Sequence, residues 1–146
     1  MLLRSDESYL RGPRADHLGY WAEEILTRAP ARLEGSYCVT GEYAPTGGPR
    51  WQFARVGFLV EPADEFEVVT AIEDIEDDKF WEDKHPDWAV LGLLDVVLVA
   101  WPQPLRNIKI TVTEADYHPL WSSRMAFRMA GRKAGKKLVE LKEKSR

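Results

Sequence analysis

Cysteine is almost absent from this 146-residue chain. Cys38 is its only one, so no intrachain disulfide staples the fold and no thiolate cluster holds a metal. Long apolar runs are missing as well. The most apolar stretch, VVLVAW over residues 96–101, is far too short to span a bilayer. The opening MLLRSDESYLRG meets charge at Arg4, which leaves no room for the apolar segment of a signal peptide. These absences predict a reduced, cytoplasmic setting. There is no G-x-x-x-x-G-K-[ST] motif, which excludes a P-loop nucleotide site, and there is no internal repeat or low-complexity tract.

What is present suits one core. Hydrophobic residues make up 45% of the chain and there are six Trp, enough to exclude global disorder. The length fits a single domain, read as 14–146 behind a loose polar arm at 1–13. The net charge of −4 hides an asymmetry. Residues 61–90 carry twelve acids against Lys79 and Lys84, whereas residues 121–146 carry nine bases against Glu140 and Glu143. Charge separated in this way implies either an acidic face packed near a basic one or a basic face reserved for an anionic partner.

The periodicities give an element order. Leu18, Trp21, Ala22 and Ile25 space out a short N-terminal helix that ends before Pro30. RLEGSYCVTGEYA (32–44) reads as a strand, PTGG (45–48) as a turn, and RWQFARVGFLVEP (50–62) and EFEVVTAIEDI (65–75) as two further strands. EDDKFWEDKHP (76–86) reads as an acidic solvated loop. DWAVLGLLDVVLVAW (87–101) is apolar nearly all round, and its length makes it a buried helix. LRNIKITVTEA (105–115) alternates as a strand, and 123–143 is the longest helix. The order β-β-β-α-β-α predicts an α+β two-layer sandwich with helices on one face of the sheet.

The stretch NIKITVTEADYHPLWSSRMAFRMA (107–130) resembles the end of domain IV of bacterial elongation factor G. There a strand leads through a Tyr-His turn and two serines into a helix. Tyr117, His118, Ser122, Ser123, Ala126 and Phe127 fall on family positions. Upstream, LEGSY (33–37), Gly47–Gly48, QFARV (52–56), EP (61–62) and FEVV (66–69) follow in the family's order. The resemblance covers roughly residues 31–135. It implies a four-stranded mixed sheet with two helices on one face and a left-handed β-α-β crossover, against the usual hand; the N-terminal helix would be extra. It also implies a binding tip of Gly47, Gly48, Arg50, Tyr117 and His118, presented to the ribosome or to structured RNA without enzymatic activity, cofactor or nucleotide. This chain departs from the family pattern at Trp121, which stands in place of an acid, at Ala115 in place of a glycine, and at Glu73–Asp74 in place of Gly-Gly.

Arg124, Arg128, Arg132 and Lys136 recur every four residues, stacking like charges on one helical face. Either a phosphate backbone or the fold's own acids would neutralise that stripe. Arg124 stands directly at the helix start, where a cation opposes the macrodipole. The expected remedy is an anion held there with an exposed His118; the alternative is an acid from 61–87 folded over it. Ser122 and Ser123 suit helix caps, and His17 and His85 read as structural. The Trp residues read mainly as core or half-buried packing, with Trp51 and Trp121 flanking the tip loops. A competing reading keeps the same fold as a protein–protein interaction module with no RNA binding and the acidic segment as its contact surface.

Overall fold

A computed structural model describes residues 32–45, 52–99 and 105–144. The N-terminal arm, the short helix before Pro30, His17, Gly47, Gly48, Arg50, Trp51 and Trp101 lie outside the described residues.

Four strands, β1 (Tyr37–Tyr43), β2 (Ala54–Pro62), β3 (Glu67–Thr70) and β4 (Ile108–Asp116), form one sheet in the order β1-β2-β4-β3. β1 and β4 run antiparallel to β2, and β3 runs parallel to β4, so the sheet is mixed. Pairing slips once, between Gly57 opposite Glu114 and Phe58 opposite Val112, which leaves Thr113 as an extra residue. A bulge of this kind flips the inward parity of its strand. Accordingly Ile108, Ile110 and Val112 point into the core, and after the bulge Ala115 does so.

Three helices complete the described fold: α1 (Asp78–Glu82), α2 (His85–Val97) and α3 (Arg124–Lys144). The sequence pattern is recovered for all four strands, for α2 and for α3, to within a few residues at their ends. α3 lies across β1 and β2, and α2 packs mainly against α3. Phe127, Ala130, Ala134 and Leu138 are fully buried on the face of α3 that meets the sheet. Leu141, close to one turn beyond Leu138, is 41% exposed. The elements touch closely: a Cβ on Gly41 of β1 would overlap the Ala130 carbonyl of α3, and one on Gly131 of α3 would overlap the Ala89 carbonyl of α2.

The acidic loop expected over 76–86 is corrected. It contains α1, capped by Asp77, whose carboxylate accepts the Lys79 backbone N–H at 2.9 Å. Burial of Phe80 drives this. Its ring lies against His85, Tyr117 and Phe127, with centroids 5.6, 5.3 and 5.8 Å away, and it is inaccessible to solvent. Lys84, in the left-handed region at φ 56°, then turns the chain into α2. His85 is structural as expected: it is buried, with Nδ1 3.1 Å from the Phe80 carbonyl. Among the described residues no helix is long and apolar enough to cross a membrane.

Candidate functional site

At one end of the sheet, the end of β1 and the start of β2 come together with the segment between β4 and α3. Hydrogen bonds tie the two loops. The Phe53 N–H donates to the Trp121 carbonyl at 3.0 Å, and the Ser122 hydroxyl donates to the Phe53 carbonyl at 2.7 Å. The same hydroxyl accepts the His118 N–H at 2.9 Å. Ser122 is therefore a loop fastener rather than a cap. Ser123 is the cap, its Oγ accepting the Ala126 N–H at 3.0 Å.

His118 is half-buried. Its imidazole stacks on the Trp121 indole at 3.9 Å between centroids and 10° between planes. The Leu120 N–H donates to Nδ1 at 3.2 Å, which places the proton of the neutral ring on Nε2. Ala44, Pro45, Gln52, Phe53, Tyr117, His118 and Trp121 line a cavity of about 510 Å³. Its walls are mostly aromatic and aliphatic, with Gln52 as the one amide side chain among the lining residues. Pockets of this make-up bind flat or apolar groups and orient them by a few polar contacts. Burial first, then the carboxylates of Asp77 and Asp83, push the Tyr117 phenol above its ordinary value, so it stays a neutral hydroxyl.

The expected site residues divide. Tyr117 and His118 sit together at the tip. The arginines of α3 do not form a free stripe. Arg124 turns to α1, donating from Nε to the Asp83 carbonyl at 3.0 Å and pairing with the Asp83 carboxylate at 3.3 Å. The expectation of an anion held by an exposed His118 with Arg124 is thus corrected: His118 packs on Trp121, and an acid from 61–87 meets Arg124. Arg128 grips Asp95 of α2 through two bonds of 2.7 and 2.8 Å, and Arg132 adds a third at 2.9 Å. One carboxylate thereby relieves the repulsion between two stacked guanidiniums. Lys136, one turn further on, is exposed. Sequence reasoning missed Asp95, although a lone acid inside an apolar helix is itself a signal of a paired charge. The Trp reading is corrected too: Trp88 is half-buried, but Trp81 and Trp121 are 39% and 44% exposed. Among the described residues no group of three or more His, Cys, Asp or Glu side chains is placed to hold a metal.

The bonds from Arg128, and to a lesser extent from Arg132, hold the Asp95 carboxyl down to about 2 from its ordinary 3.8. A depressed acid contributes stability above its unfolded-state value and loses it as pH falls through the folded one. Asp95→Asn is therefore expected to cost about 1–2 kcal/mol at neutral pH, allowing for partial exposure. The difference from wild type should shrink as pH falls from about 4 towards 2. Chemical denaturation of both proteins across that range checks this; a gap that stays constant would show that the network is not ionic.

No family model matches the chain, and no curated protein matches it. Among solved structures it is similar to a protein from Thermus thermophilus, with a TM-score of 0.65 and 22% sequence identity over 75% of this chain. At that identity the likeness is one of fold. The chain spans only 16% of the length of the Thermus protein.

Proposed function

We propose that this domain, which resembles domain IV of elongation factor G, is a non-enzymatic, cytoplasmic, translation-factor-like module that binds the ribosome or structured RNA through its loop tip. One observation supports this above the others: two segments distant in sequence, one at Phe53 and one at Trp121 and Ser122, are hydrogen-bonded together beside a cavity lined by Phe53, Tyr117, His118 and Trp121. Sequence-specific RNA recognition favours such surfaces, because an unpaired base stacks on aromatic side chains and bonds to nearby polar edges. Tyr117, His118 and Trp121 make the contact in this reading; Gly47, Gly48 and Arg50, which the resemblance adds to the tip, lie outside the described residues. Because Arg124, Arg128 and Arg132 are held by Asp83 and Asp95, phosphate contacts fall mainly to Lys136 and its lysine neighbours.

A protein partner is the second reading, favoured by the apolar rim of the same tip. Leu120 is 83% exposed and Met125 53%. Co-sedimentation with ribosomes across a salt series, alongside titration of a labelled structured RNA, separates the two. Binding is expected with a shallow salt slope, of about one or two released counterions. No association with either target at low salt would remove the RNA reading and leave the protein reading standing.

A further inference from the structure

The sheet ends on one side at β3, and among the described residues no strand pairs with its outer edge. Backbone groups of successive strand residues point to alternate sides. The Ala71 N–H bonds to the Val112 carbonyl at 2.9 Å, so Glu67 and Val69 face β4 in the same way, and the N–H and C=O of Val68 and Thr70 face outward. The side chain of Val68 lies on the helix-covered face, since its partner in β4 is the buried Ile110. Phe66 shares that parity. With Leu94 and Leu98 of α2 and with Arg106 it lines a second cavity, of about 270 Å³. Phe66 and Val68 remain 48% and 38% exposed beside it, and Leu91, one helical turn before Leu94, is 41% exposed.

Charge then selects the occupant. Between Arg55 and Lys79 the chain has nine acids and no base. Asp64, Glu65, Glu67, Glu73 and Asp74 bracket the edge and are exposed. The two bases nearby are committed or set back: Arg106 is engaged within the fold, and Lys109 lies on β4 opposite Glu67. We propose that the β3 edge is a docking site for a basic, extended segment of a partner protein, which adds a strand to the sheet, places apolar residues against Phe66, Val68 and Leu94, and sets Lys or Arg among the acids. Strand addition of this kind takes its affinity from main-chain hydrogen bonds and its specificity from side-chain pockets. A sheet edge guarded only against aggregation needs charge and a short strand; it does not need an exposed phenylalanine beside an apolar cavity. A second copy of this chain fits poorly, because the same acids would face each other. The inference is independent of what the tip binds.

The test uses the whole chain and a short fluorescent peptide of alternating lysine and valine, with its glutamate–valine counterpart as control, followed by anisotropy. The basic peptide should bind saturably and the acidic one should not. Val68→Pro removes an outward N–H that β4 does not use, a substitution that edge strands tolerate. It should weaken binding by about tenfold, in keeping with a main-chain hydrogen bond and the contacts aligned by it. If that variant fails to fold, amide exchange on the wild type decides: peptide should protect the Val68 and Thr70 amides. Unprotected amides, equal binding of both peptides, or a β3–β3 dimer in sedimentation would overturn the proposal.

Discussion

Gly131→Ala is expected to destabilise the domain by about 3 kcal/mol, and a larger side chain there to prevent folding. The sign is the informative part. In an ordinary helix interior the same change gains about 0.5–1 kcal/mol, because glycine loses the most backbone freedom on folding. Here the new Cβ would overlap the Ala89 carbonyl and press on the Leu93 backbone of α2. A backbone cannot rotate aside as a long side chain does, so α2 and α3 must separate. Gly92 and Gly135 stand in the same seam, the first against the Arg128 carbonyl and the second 3.0 Å from Val96. Separation would also pull Asp95 from Arg128 and Arg132. Gly35→Ala is the control, since nothing lies within 4 Å of a Cβ there. Thermal unfolding should show Gly131→Ala lower by about 10 °C and the control near wild type. Equal stability of the two would mean that the helices do not meet at this seam.

Much of the fold was legible because burial writes a period into the chain. Ile108, Ile110 and Val112 alternate along a strand, and Phe127, Ala130, Ala134 and Leu138 space out one helical face. The small residues Ala130, Gly131, Ala134 and Gly135 carried a further signal of close helix approach that periodicity alone does not weigh. What was not legible depended on contacts between segments distant in sequence. Phe80 looks like an aromatic stranded in an acidic run until Tyr117 and Phe127 are seen around it. Asp95 and Arg128, 33 residues apart, are each conspicuous locally, yet nothing in either segment names the other. The tip was half legible. Resemblance picked out Tyr117 and His118, but the stack of His118 on Trp121 arises from loop geometry that Ser122 fixes through Phe53.

These contacts alter how the charges of the chain are understood. The stripe of Arg124, Arg128, Arg132 and Lys136 reads in sequence either as a surface for phosphate or as a partner for the fold's own acids, and in the fold its three arginines are tied to Asp83 and Asp95. Asp64, Glu65, Glu67, Glu73 and Asp74 border the β3 edge and are exposed. The arginines of α3 therefore tie it to α2 and to the end of α1, and the aromatic tip remains the surface on which the proposed binding depends.

That division is tested most directly by comparing Trp121→Ala with Arg128→Ala in binding to ribosomes and to a labelled structured RNA, at a temperature where circular dichroism shows both variants folded. Loss of one base-stacking ring is worth about 1–3 kcal/mol, so Trp121→Ala should weaken binding about 10- to 100-fold. It should do so with little loss of stability, because Trp121 is 44% exposed and the Phe53 and Ser122 bonds that fasten the loop use backbone and hydroxyl atoms. Arg128→Ala should lower the unfolding temperature through Asp95 and leave affinity and salt slope unchanged. The reverse pattern, with affinity and slope lost in Arg128→Ala and kept in Trp121→Ala, would contradict the account and make the helix, not the tip, the binding surface.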